Sequence, residues 1–113
     1  MTAARRGEIW LVDFGSPVGR VQAGRRPAVV VSADPLNESR ADVLIVVPCT
    51  TTRRGLRSHV ELDQVTSGLD AVSYAKCEDV KSISAHRLIV RLGYAPFEAM
   101  FEITRSLRFL LDM

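Results

Sequence analysis

Val43-Leu44-Ile45-Val46-Val47, running through Pro48-Cys49 into Thr50-Thr51-Thr52-Arg53-Arg54-Gly55, is the stretch on which the fold turns. Five consecutive apolar residues, four of them β-branched, predict a central strand covered on both faces. Such a strand needs neighbours. Upstream, Pro27-Ala28-Val29-Val30-Val31 supplies one, since proline suits a first strand position and disfavours helix in Arg26 before it. Farther upstream, Glu8-Ile9-Trp10-Leu11-Val12-Asp13-Phe14 reads as the first strand and closes at Gly15-Ser16-Pro17. The polar connection over residues 15–26 is longer than a hairpin needs, and connections of that length tend to carry function. Asp34-Pro35-Leu36-Asn37 reads as a turn.

Downstream, Ser58-His59-Val60-Glu61-Leu62 alternates, which puts Val60 and Leu62 on one face and His59 and Glu61 on the outer, solvent-facing one. After the turn at Ser67-Gly68-Leu69-Asp70, residues 72–77 form another strand, and residues 80–83 a short extension. Ser84-Ala85-His86-Arg87 suits a single helical turn, and residues 88–92 a last strand ending at Gly93. Pro96 then opens the strongest helical pattern. Phe97, Met100, Phe101, Thr104, Leu107 and Leu111 recur at three- and four-residue spacing, joined by Ile103 and Leu110. Glutamates lead and arginines trail, as the helix dipole favours, so this helix is expected to pack on the sheet or plug a barrel rather than lie on a membrane. Five or six short strands with a terminal helix predict a mainly β, α+β fold: a small, strongly curved β-barrel with a C-terminal α-helix.

The 113 residues match one ordinary domain, 1–113, and leave no room for separate cofactor and substrate lobes. With 47% hydrophobic and 25% charged residues the composition is globular. No run approaches the ~20 apolar residues of a membrane span, and Met1 to Gly7 carries Arg5 and Arg6 but no apolar stretch behind a cleavage site, so a cytoplasmic protein is expected. Cys49 and Cys77 stand apart, without a CxxC or histidines at ligand spacing; both are expected to pack as small hydrophobes, with no metal site. Neither GxGxxG nor a Walker loop is present, so no cofactor is expected.

Charge is more telling in its distribution than in its sum. Fifteen basic against 13 acidic residues give only +2, yet 13 of the basic residues are arginine, whose planar fork suits phosphate. Residues 15–26 hold Arg20, Arg25 and Arg26 and no acid; residues 50–57 hold Arg53, Arg54 and Arg57 and no acid. Brought together by a curved sheet, these loops would form a cationic groove for a phosphate backbone, with threonine hydroxyls as further donors. Arg40, Arg87, Arg105 and Arg108 read as solvating surface residues.

Several of these segments are specific. Arg6-Gly7-Glu8-Ile9-Trp10, then Gly19-Arg20-Val21-Gln22-Ala23-Gly24-Arg25-Arg26-Pro27-Ala28-Val29-Val30-Val31, then Val47-Pro48-Cys49-Thr50-Thr51 closely resemble the MazF/PemK toxin family of type II toxin–antitoxin systems. Gly68-Leu69-Asp70, Val80-Lys81-Ser82-Ile83 and Arg91-Leu92-Gly93 extend the resemblance over nearly the whole chain. The resemblance implies a barrel of the plasmid-maintenance toxin type, related to Src-homology-3-like barrels, acting as a homodimer. It implies a sequence-specific, ribosome-independent, metal-independent endoribonuclease that cuts single-stranded RNA and arrests growth by blocking translation. It also implies a cognate antitoxin whose tail occupies the RNA groove; the arginine loops call for an acidic, partly disordered one.

Matched position by position, the family's catalytic arginine falls on Arg26 and its catalytic threonine on Thr50, with Arg20, Gln22, Arg25, Thr51, Arg53 and Ser73 as RNA-binding positions. The chemistry agrees. Metal-free RNA cleavage activates the 2′-hydroxyl, stabilises extra charge at phosphorus and protonates the 5′-oxygen, leaving a 2′,3′-cyclic phosphate or 3′-phosphate and a 5′-hydroxyl. A buried guanidinium would clamp nonbridging oxygens while a threonine adds a donor; a guanidinium is too permanently protonated to serve as base. The family commonly carries a glutamate where this chain has Val21, so the base is left unassigned. His86 is expected to cap a turn, and Trp10 and Tyr74 to serve core or interface roles. Two alternatives stand beside this reading: a toxin of the same barrel type that poisons DNA gyrase by protein contact, and a weakened member that binds RNA without efficient cleavage.

Overall fold

A computed structural model of the chain describes residues 4–15 and 24–113. Its strands are β1 (Glu8–Asp13), β2 (Arg25–Val30), β3 (Val43–Thr50), β4 (His59–Leu62), β5 (Ser73–Lys76), β6 (Lys81–Ser84) and β7 (Leu88–Tyr94). All pairings are antiparallel, in the order β4-β5-β3-β2-β1-β7, with β6 also on β3. The central strand is the one the apolar run predicts. It is long enough to serve three partners: Leu44 faces Ile83 of β6, Val47 faces Val29 of β2, and Cys49 faces Ala75 of β5.

Strand alternation divides the core. Ile9, Val29, Val47, Cys49, Leu62 and Ala75 form one cluster with the C-terminal helix; Val12, Phe14, Ala28, Val30, Leu44, Val46 and Ile83 form the other. A sheet covered on both sides explains why β2 and β3 read as continuous apolar runs rather than alternating ones. Both cysteines are buried and unbridged, and burial pushes the Cys49 thiol up to about 12, as befits a small hydrophobe.

Several expectations are corrected. Among the described residues there are seven strands rather than five or six, and β7 continues through Gly93 to Tyr94. Asp34–Asn37 is a single helical turn, α1, started by Pro35 and held by Asn37, which is buried and donates to the Ser32 carbonyl. A second one-turn helix, α2 (Gln64–Ser67), follows β4, with the Asp63 carboxylate accepting from the Val65 and Thr66 amides and Gly68 closing it at a φ of 72°.

The curled sheet does not close by pairing its edges, β4 and β7. Instead α2 spans the gap against β7 by backbone contact: a Cβ on Gly68 would lie 1.9 Å from the Leu92 carbonyl oxygen, and one on Gly93 would lie 2.4 Å from those of Thr66 and Ser67. Only glycine fits on both sides of that seam.

The terminal helix, α3 (Phe97–Leu110), packs on the sheet, but through the line of Ala99 and Ile103, with Met100 and Leu107 at its margins. Phe97 and Phe101 are 80% and 55% exposed and stack on each other at 6.4 Å. The helix thus turns the small Ala99, and not its phenylalanines, to the sheet. Arg6 ties the N-terminal segment across, donating to the Val31 carbonyl and, at 3.0 Å, to the Thr104 hydroxyl.

Candidate functional site

β1 ends, β2 begins and β3 ends at one end of the sheet, which fixes where the two arginine loops emerge. The connection after β1 is drawn together at its base, the Phe14 amide donating to the Gly24 carbonyl at 2.9 Å and the Gly24 amide to that of Gly15 at 2.7 Å. Arg25 and Arg26 open β2 opposite Asp13 and Val12. Arg20, Val21 and Gln22 lie outside the described residues. Continuing the β2–β3 register from Ala28 opposite Pro48 by two residues sets Arg26 across from Thr50. The two positions singled out as catalytic thus stand on neighbouring strands at the end from which both loops leave.

Arg26 is solvent-exposed, not buried, because the sheet's cover begins only at Ala28. Thr50 is half-buried, and its hydroxyl accepts from the Thr52 amide at 3.1 Å, which turns the chain out of β3 and fixes the side chain. Thr51, Arg53, Arg54 and Arg57 follow in an exposed, acid-free loop. Ser73 departs from expectation: it is buried, with its hydroxyl committed to the Ala71 carbonyl at 3.0 Å, because alternation along β5 turns it inward with Ala75. It offers nothing to a surface ligand.

The clearest surprise is His59. Its ring is only 3% exposed, not solvent-facing, and its Nε2 lies 2.8 Å from Glu78 Oε2. β5 pairs with β4 so that His59 faces Lys76, and the 3₁₀ turn Cys77–Asp79 brings Glu78 over the ring. Burial raises the Glu78 carboxyl, but hydrogen bonds from Ser58 and His59 outweigh it and hold the group below the ordinary glutamate value. Lys76 Nζ pairs with Asp79 Oδ2 at 2.9 Å beside it. A cavity of about 270 Å³ joins this cluster to the end of β3: Thr50, Thr52 and Arg54 form one wall, and His59, Glu78 and the Lys76–Asp79 pair the other. His86 is exposed and does not cap the turn as expected; the Ser84 hydroxyl does, accepting from the His86 amide. Trp10 is half-buried against the core and donates to Glu8 at 3.0 Å.

Glu78 and Lys76 escaped the sequence reading because they trail a strand whose apolar residues dominate its pattern. The signal that could have found them was the titratable run Lys76, Glu78 and Asp79 at that strand's end. No helix among the described residues is long and apolar enough to cross a membrane.

Residues 5–111 match the family described as PemK-like, MazF-like toxin of type II toxin–antitoxin system. Endoribonuclease MazF2 of Mycobacterium bovis is 33% identical over 110 residues, covering 96% of each chain. The crystal structure of MazF from Deinococcus radiodurans superposes with a TM-score of 0.83 at 25% identity, over 97% of each chain. A mycobacterial endoribonuclease solved in complex with its cognate antitoxin superposes at 0.82 with 23% identity, over 98% of this chain and 97% of that one.

Proposed function

Because this chain belongs to the family of PemK-like, MazF-like toxins of type II toxin–antitoxin systems, we propose that it is an endoribonuclease toxin that cuts single-stranded RNA at specific sequences, without ribosome or metal, and arrests growth by blocking translation. The observation that carries this reading is the placement of Arg26 and Thr50 at one end of neighbouring strands, beside an exposed loop of three arginines. Each does what the reaction requires. Arg26, at the solvent-exposed start of β2, stabilises the charge that grows on the nonbridging oxygens as the 2′-oxygen attacks phosphorus. Thr50 adds a hydroxyl donor held in place by the turn that follows. Arg25, Thr51 and Arg53, with Arg20 and Gln22 of the first arginine-rich segment, hold the flanking backbone and bases.

The toxin works as a single unit over residues 1–113, as a cytoplasmic homodimer. Support for self-association comes from β7, an edge strand that exposes Ile89, Val90 and Tyr94 beside Phe97. A cognate antitoxin with an acidic, partly disordered tail would neutralise the arginine loops, in keeping with the antitoxin complex of the mycobacterial neighbour.

Incubating the purified protein with a long RNA in EDTA and mapping 5′-hydroxyl ends tests the reading, with recurrent sequence-specific ends as the expected result. A 2′-deoxyribose at the cut should abolish cleavage. An Arg26→Ala, Thr50→Ala double variant that cuts RNA and arrests growth as well as the parent would overturn the assignment. A gyrase poison is the second reading, favoured by the exposed apolar end of α3 at Phe109, Leu111 and Met113. It requires toxicity without RNA ends, lost on removal of residues 109–113.

A further inference from the structure

We propose that Glu78, positioned by His59, is the proton acceptor for the attacking 2′-hydroxyl, an inference that rests on the ribonuclease reading and assigns the base that Val21 leaves open. Three observations carry it. Glu78 and Thr50 line one cavity of about 270 Å³, so the two residues border a common volume. The Glu78 side chain is 34% exposed, enough to meet a ribose, whereas the His59 ring behind it is 3% exposed and is placed to hold the carboxylate rather than to touch RNA. His59 Nδ1 is buried without a hydrogen-bond partner. A carboxylate only accepts, so Nε2 donates to Glu78 and fixes one carboxylate oxygen. Ser58 donates to the same carboxylate, whose remaining lone pairs can still accept a proton from substrate.

The step balances. The 2′-oxygen forms its bond to phosphorus as its proton passes to Glu78; the bond from phosphorus to the 5′-oxygen breaks, and that oxygen takes a proton from water. Glu78 returns its proton to solvent, so the transesterification consumes nothing. The other charged groups facing this space are Arg54 from the loop after β3, and Lys76 and Asp79 beside Glu78, while Arg57 before β4, Glu61 of β4, and Glu102 and Arg105 of α3 line a second groove that His59 borders. Among the acids, Asp79 is engaged by Lys76. Glu78 is anionic at neutral pH because its hydrogen bonds hold the carboxyl low.

Cleavage of a short RNA carrying one cut site by the full chain, followed across pH, tests this. Glu78→Gln keeps the shape and loses the acceptor: kcat should fall about 10²- to 10⁴-fold with KM little changed. In Glu78→Asp part of the rate should return. In the parent, kcat should fall with acid as Glu78 protonates, and His59→Phe, which keeps a ring but has no donor, should move that limb to higher pH by removing a bond that keeps the carboxyl low. A merely structural His59 would lower Tm without moving the limb. Glu78→Gln within twofold of the parent, or an acid limb unmoved in a folded His59→Phe protein, overturns this inference while leaving the ribonuclease reading intact. A parent that cuts no RNA overturns both.

Discussion

Asp63, Asp34 and Glu78 show how single carboxylates tie segments that the apolar core does not reach. Asp63 accepts the first amides of α2, and Asp34 accepts the Arg6 amide at 2.7 Å, joining the N-terminal segment to α1. The backbone amide of Arg6 lowers Asp34, and that of Thr66 lowers Asp63, in each case against a smaller opposing effect of burial. All three acids are therefore stronger in the folded chain than in the unfolded one. Their stabilisation is present in full above the ordinary carboxylate range near pH 4 and is lost as pH falls through the lowered folded values. Urea unfolding from pH 7 down to pH 3 should show the loss. Asp63→Asn should flatten that dependence, and an unchanged slope would show that Asp63 does not contribute. His59 teaches the complementary lesson. Two-residue alternation put it outside with Glu61, and for a lone β4 that is correct; the ring is buried because Glu78 arrives from a later turn.

In α3 the residue period located the helix but not its contact line. Phe97, Phe101 and Leu111 compete with Ala99, Ile103 and Leu107 for the inner face, and on hydrophobicity alone the aromatics win. The sheet decides otherwise, because a helix lying close over β-branched residues needs a small side chain such as Ala99 at the point of approach. Ile103→Ala should therefore cost about 2–5 kcal/mol in unfolding free energy. Phe101→Ser, on the exposed line, should change the stability of the isolated fold by no more than about 0.5 kcal/mol. If the exposed aromatics belong to a homodimer contact, Phe97→Ser with Phe101→Ser should raise the dissociation constant measured by sedimentation. Full dimer in that variant would place the contact elsewhere.

For the molecule as a whole, the small net charge conceals a segregated field, with Arg53, Arg54 and Arg57 gathered beyond β3 at the end where β2 begins. RNA affinity should fall steeply with salt, and replacing these three with alanine should lower the log–log slope by roughly 0.7 for each RNA phosphate that an arginine ceases to neutralise. An unchanged slope would remove this loop from the interface. Closure is the other property of the whole. Gly93→Ala should destabilise the fold by more than the few tenths of a kcal/mol usual for surface changes, because carbonyls of α2 occupy the space a methyl would take. By itself the sequence determined the strands around Val43–Val47, the terminal helix, the inert cysteines, the two arginine-rich segments and the positions of Arg26 and Thr50, since each rests on local pattern, composition or motif. Tertiary structure alone decided which line of α3 is buried, that Ser73 turns inward, that glycines at α2 and β7 close the seam, and that His59 and Glu78 meet beside Thr50. Those are contacts between segments far apart in the chain, and what packs against a side chain is fixed only when the sheet curls.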